Sequence, residues 1–211
     1  MPRKPDILVG MQGRMSGTHG LGRAFYWPNQ APIFKADLHG LFERGPVDLE
    51  IGSGVGWFAV QHSNLFPHHS LICIERSQVR YLKLLRRAKG QAPRALPIRA
   101  DVHQWVPSNL SSSSIENIYI WYPNPYPRKQ RWHRKPIFER LLWILKKGGR
   151  LTMATNIEDY AHEACHYFEK VWNLEVLKSE PLPKEQRPRT HFEKKYLERG
   201  ETCWEITARK P

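Results

Sequence analysis

Short apolar runs alternate along this chain with stretches of helical spacing. Residues 47–51 make a run of strand length that ends in glycines. Residues 71–74 make a second, residues 96–100 a weaker third broken by Pro97, residues 118–122 a fourth and residues 151–155 a fifth. Between them the apolar positions step by three and four. Ile33, Phe34, Leu38, Leu41 and Phe42 follow Pro32 in this way. Residues 56–66 predict a helix stopped by Pro67. Ser77 predicts the cap of a helix carrying Val79, Leu82 and Leu85 and ended by Gly90. Pro136 suits the first turn of a helix running to 145 and closed by Gly148-Gly149, and Asn156 suits the cap of one running to 172. Residues 174–177 and 202–208 have the look of edge strands. Apolar strands alternating with helices predict an α/β fold whose parallel sheet is covered on both faces. Ligands of such sheets bind beyond the carboxyl ends of the strands, so chemistry is expected just after each run.

Residues 1–30 stand apart. Gly10, Gly13, Gly17, Gly20 and Gly22 punctuate them, with Arg3, Lys4, Arg14 and Arg23 between. That spacing neither holds a helix nor offers much to bury, and it predicts a basic arm ahead of one domain at 31–211. Three scattered cysteines in 211 residues fit a reducing compartment better than a disulfide framework. No apolar stretch has the length of a signal or a membrane span, so a cytoplasmic protein with no membrane partner is expected, as a monomer or homodimer.

Between the first strand and the next helix stands Glu50-Ile51-Gly52-Ser53-Gly54-Val55-Gly56. A nicotinamide fingerprint needs glycine where Trp57 stands. The order acidic-x-Gly-x-Gly-x-Gly instead resembles class I S-adenosylmethionine-dependent methyltransferases. A carboxylate beside the glycines suits the ammonium and sulfonium charges of that cofactor. Glu75 ends the second strand 23 residues after Gly52, placed to accept from ribose hydroxyls, with Arg76 next to it. Asp101, followed by Val102, comes after the third strand and is placed to accept from an adenine amino group.

Further along stands Tyr122-Pro123-Asn124-Pro125-Tyr126-Pro127 with the run Arg128, Lys129, Arg131, Arg134 and Lys135 behind it. Residues 154–161 (Ala-Thr-Asn-Ile-Glu-Asp-Tyr-Ala) and Arg189-Thr190-His191-Phe192-Glu193 follow. With the glycine loop, these resemble the tRNA (guanine-N7)-methyltransferase family over about residues 47–207. The resemblance implies a Rossmann-like class I methyltransferase, with a mainly parallel seven-stranded sheet and helices on both faces. It implies S-adenosylmethionine as cofactor and tRNA as substrate. By the same token Asn124 takes the catalytic position and also borders the cofactor, while Arg128, Asn156, Thr190 and Glu193 take substrate positions. Gln12-Gly13-Arg14 matches the family's basic arm more loosely, which makes Arg14 an RNA contact.

The chain departs from the family pattern where Asn124 and Asn156 replace aspartates, and where Lys195-Tyr196 replaces Arg-Gly. Guanine N7 attacks through a lone pair and has no proton to lose, so alignment with the methyl group matters more than a base. Two alternatives stay open. One is transfer to an exocyclic amine, because Asn124-Pro125-Tyr126 resembles the Asn-Pro-Pro-aromatic of amino-methyltransferases. The other is a catalytically weakened RNA-binding member of the family.

The charge balance sharpens the choice of partner. With 33 Lys and Arg against 20 Asp and Glu, the net charge is +13. Residues 76–99 hold eight basic residues and no acid, and residues 117–138 hold five and no acid. The second block adjoins the expected methyl-transfer site, and Lys129, Arg131, Trp132 and Arg134 are expected to touch RNA there. Trp132 is expected to be exposed. His62, His68 and His69 have no carboxylate at ligand spacing in the sequence, so they read as surface histidines and no metal is expected. Cys203 reads as a packed strand residue.

Overall fold

A computed structural model describes residues 38–183 and 185–211. The basic arm with Arg14, and the start of the first helical spacing, lie outside them. The strands are β1 (Val47–Ile51), β2 (Ser70–Glu75), β3 (Ala95–Arg99), β4 (Ile115–Trp121), β5 (Leu145–Thr155), β6 (Glu175–Pro181) and β7 (Trp204–Arg209). The helices are α1 (His39–Glu43), α2 (Trp57–Leu65), α3 (Gln78–Gln91), α4 (Val102–Asn109), α5 (Ile137–Ile144), α6 (Glu158–Lys170) and α7 (His191–Glu198). Short 3-10 turns at Arg128–Gln130 and Trp132–Arg134 lie between β4 and α5.

One sheet runs in the order β3-β2-β1-β4-β5-β7-β6. The first five strands are parallel, β7 runs antiparallel to β5, and β6 antiparallel to β7. Every residue of β1 and β2 is buried, as strands covered on both faces must be. Leu49, Ile51, Ile118 and Leu151 face the larger core cluster, with α5 and α6. The opposite face packs Leu71, Cys73 and Tyr119 against Phe58 of α2 and Leu84 of α3.

Five features differ from the sequence expectation. First, β7 is not an edge strand. Thr207 pairs with Thr152 on one side and Lys178 on the other, so the edges are β3 and β6. Second, Gly148-Gly149 closes no helix but lies inside β5, whose pairing with β4 shifts register between Ile115 and Asn117. A Cβ on Gly149 would meet the Glu116 carbonyl at 2.6 Å, so the glycine permits that close approach. Third, α3 runs past Gly90 to Gln91. Fourth, Asn156 caps nothing, because Thr155 Oγ1 accepts from the Ile157 N–H at 3.2 Å and α6 starts from Ile157. Fifth, α4 and α7 had no expected counterpart. Pro107 interrupts the pattern of α4. The cap of α7, Thr190 Oγ1 accepting from Glu193 N at 3.0 Å, uses two residues read as substrate contacts.

Candidate active site

The carboxyl ends of β1, β2 and β4 and the start of α4 open on one cavity of about 1360 Å³. Glu50, Gly52, Gly54, Glu75, Arg76, Asp101, Val102 and Asn124 all line it. Gly56 does not. It sits at φ +82° at the N-cap of α2, where a Cβ would meet Leu84 Cδ1 at 2.6 Å, so it packs α2 against α3. Gly54, at φ +57°, turns its N–H to Glu75 Oε2 at 2.9 Å. The other Glu75 oxygen accepts from Ser77 N at 2.7 Å. Two backbone donors thus fix this carboxylate between the glycine loop and the start of α3.

Glu50 is buried, and its Oε2 has no hydrogen-bond partner. Burial away from water pushes its pKa up to about 8, the Glu75 carboxylate adds to the rise, and Ser53 and Cys73 oppose it. An orphaned carboxylate oxygen at the cavity wall calls for a cation or a donor. Asp101 is the reverse case. Hydrogen bonding from the His103 side chain, helped by the His103 N–H at 2.9 Å, holds it down at about 2 against burial. It is therefore a permanent acceptor at the cavity edge. Beside it the His103 and Trp132 rings stack with centroids 5.6 Å apart, and Lys135 Nζ sits 5.0 Å over Trp132.

At the end of β4, Asn124 is exposed, and its Oδ1 accepts from Tyr126 N at 3.2 Å. Arg128 lies outside the lining and ion-pairs with Asp159. Asn156 is also outside, donating through Nδ2 to Glu201 Oε2 at 2.7 Å. Thr190 lines the cavity beside His191 and Phe192.

Several expected RNA or substrate contacts are committed elsewhere. Glu193 is buried and takes hydrogen bonds from Tyr122, from Arg189 N and from the Arg189 guanidinium, so it is not free to read guanine. Arg131 is 1% exposed. It lies 4.6 Å over the Tyr160 ring and ion-pairs with Asp159 and Glu163. An arginine paired in this way has no face for RNA. Arg134 pairs with Glu163 yet keeps an exposed edge, and Lys129 is exposed. Trp132 is half-buried instead of exposed, because its ring packs against the core and stacks on His103, while its backbone N–H donates to Tyr160 Oη at 2.9 Å. The other basic block reaches the cavity after all, since α3 presents Arg80, Lys83, Arg86 and Arg87 to its rim.

Sequence reasoning missed Tyr122, His103 and Trp57 at this site, and Arg189, which lies outside the lining and holds Glu193. Arg189 was within reach of it, being an arginine directly ahead of the Thr190–Glu193 pair.

The fold and the cavity together define a class I S-adenosylmethionine-dependent methyltransferase. A family model described as "Putative methyltransferase" matches residues 44–206. A tRNA (guanine-N(7)-)-methyltransferase of Bartonella quintana is 31% identical over 85% of this chain and 81% of its own. One from Nitrosococcus oceani is 27% identical over 97% and 90%. Among solved structures, the 16S rRNA methyltransferase KamB shares the fold, with a TM-score of 0.66 at 15% identity over 83% of this chain and 94% of that one. The chain belongs to the tRNA (guanine-N7)-methyltransferase family.

Proposed function

We propose that this chain transfers the methyl group of S-adenosylmethionine to N7 of a guanine in tRNA. The observation that carries the reading is one cavity in which Glu50, the Gly52–Gly54 loop, Glu75 and Asp101 meet Asn124 at successive strand ends. The residues fit the cofactor. The partnerless Glu50 oxygen suits its cationic end, Glu75 suits ribose hydroxyls, and Asp101 suits an adenine amino group. When bound, the cofactor supplies an electrophilic methyl group on a sulfonium.

The protein's own work is then positional. Asn124 at the end of β4 and Thr190 at the start of α7 border the space in which a guanine would lie. N7 needs only alignment, so an exposed amide at position 124 suffices without a base. Lys83 and Arg86 on α3, together with Lys129 and Arg134 beyond β4, supply cations for RNA phosphates. Among the described residues no helix is long and apolar enough to cross a membrane. The proposed setting is the cytoplasm, with tRNA as partner and the protein as monomer or homodimer.

Nucleoside analysis of tRNA treated with the protein and S-adenosylmethionine tests the reading. 7-Methylguanosine supports it. An N-methylated exocyclic amine supports amine transfer instead, and no product supports an RNA-binding member without activity.

A further inference from the structure

A second constellation lies at the other end of β1. Asp48 is fully buried, and its Oδ2 meets His62 Nε2 at 2.7 Å and His69 Nδ1 at 2.9 Å. Its Oδ1 accepts from Asn117 Nδ2 of β4 at 2.9 Å. The three ligand-type atoms lie within 4.8 Å of one another. Spacing along the chain hides this group, because the carboxylate precedes the histidines by 14 and 21 residues and meets them only where α2 and the loop before β2 fold against β1. His62 is therefore a core residue at 1% exposure and not a surface histidine.

We propose that Asp48, His62 and His69 form a divalent metal site of the zinc type that ties α2 and the loop before β2 to β1. Two imidazoles and a carboxylate are a donor set for zinc, with one position left for water. Zinc–ligand bonds of about 2.0–2.2 Å require the two imidazole nitrogens to draw back from the Asp48 oxygen by roughly half an ångström to admit the ion. Each ring keeps its one remaining proton on its other nitrogen. Asn117 holds the second oxygen of Asp48 and so fixes which oxygen faces the ion, which is the usual task of an outer partner. Phe58, Phe66 and Tyr119 surround the His62 ring, with centroids 5.8, 5.1 and 6.0 Å away, and give the site an apolar wall. The route in is the side of His69, whose side chain is 23% exposed and lines a cavity of about 530 Å³ together with Phe66 and Asn117. None of the three ligands lines the methyltransferase cavity. The site lies apart from the methyl-transfer cavity, and it stands or falls apart from the proposed activity.

The test is titration of the full chain with Zn²⁺, after chelator treatment and without an affinity tag, followed by calorimetry and thermal melting. The wild type takes up about one ion per chain, and zinc raises its melting temperature. His69→Ala, at the partly exposed ligand, loses at least about tenfold in zinc affinity and the melting shift, yet keeps its cofactor affinity. Asp48→Asn does the same and serves as the second variant should either misfold. His68→Ala, one residue away and exposed, binds zinc as the wild type does. A wild type that binds no zinc, or a His69→Ala variant that binds it equally well, overturns the proposal. Loss of methyl transfer with zinc binding intact bears only on the reading of the active site.

Discussion

The Tyr122 hydroxyl donates to Glu193 Oε2 at 2.7 Å, joining the end of β4 to α7 across 71 residues of chain. Burial and the Glu193 carboxylate keep the Tyr122 phenol far above its ordinary range, so it stays protonated and can donate. Arg189 completes the group, paired with Glu193 and Glu205 and 4.3 Å over the Trp121 ring. The two arms of this joint differ in weight. Tyr122→Phe removes one charge-assisted bond and costs about 1.5 kcal/mol. Arg189→Met leaves the buried Glu193 without its cation, while Glu205 keeps Lys178, and costs about 3–5 kcal/mol. Urea unfolding of both variants checks the order; equal losses would contradict it.

Glu50 carries a prediction about pH. Its carboxyl holds a proton up to about 8 in the folded protein, against a reference of 4.5. The folded state thus binds the proton more tightly than the unfolded chain. Stability from this residue is fully present below about 4.5 and is lost as pH rises toward 8. Glu50→Gln has no such loss, so its melting temperature gains on the wild type steadily from pH 5 to pH 8. The same variant binds S-adenosylmethionine more weakly, because a neutral amide replaces the partner of a cation. Calorimetry of the wild type at pH 7 should further show proton release on cofactor binding, since the cation favours the ionised carboxylate. Melting curves that stay parallel across this range would rule the assignment out.

The local half of this molecule was readable from the chain. Strands β1, β2 and β4 follow from apolar runs, and Glu75 and Asp101 follow from standing where such runs end. Each of those inferences needs only neighbours in sequence. What escaped depends on distant partners. Arg131 looks like an RNA contact until Asp159 and Glu163 of α6, 28 and 32 residues on, close around it. Glu193 looks like a guanine reader until Arg189 saturates it, and His62 looks like a surface residue until Asp48 meets it. Charge and polarity announce that a residue needs a partner, but only the fold says whether that partner is a ligand or the protein. α4 escaped for a different reason, since Pro107 in its last turn erases the helical signal although Asp101 caps it well.

The basic run beyond β4 therefore divides under mutation. Lys129→Ala removes an exposed cation. It should leave the fold intact, weaken tRNA binding across sequences and reduce the salt slope by about 1. Arg131→Ala acts on stability instead. It breaks the buried pair with Glu163 at a cost of about 3 kcal/mol, the low end for such pairs because Glu163 keeps Arg134. Salt-dependent binding and thermal melting, measured on both variants, separate the two roles. A stable Arg131→Ala protein with weakened RNA affinity would reverse this assignment.

Asn124 and Asn156, where the family resemblance implies aspartates, should also part company. Asn124 uses its Oδ1 to accept from Tyr126 N, a bond that a carboxylate keeps and strengthens. Its side chain is exposed, so an added charge costs little in desolvation. Asn124→Asp should therefore fold as the wild type does. It should also raise kcat/KM for N7 methylation, by up to about tenfold, if the carboxylate gains one charge-assisted bond to a guanine donor. Asn156 uses its amide as a donor, giving Nδ2 to Glu201 Oε2 at 2.7 Å. Asp at 156 puts two carboxylates in that contact, where neither can donate. Asn156→Asp should lower the melting temperature, most at high pH where both groups are ionised, and recover as pH falls and one takes a proton. Glu201→Gln in the same chain restores a donor and should rescue it. Methyl-transfer rates and melting temperatures of the three variants decide the matter. An Asn156→Asp protein as stable as the wild type at pH 8 would show that the Asn156–Glu201 bond is not what keeps an amide at this position.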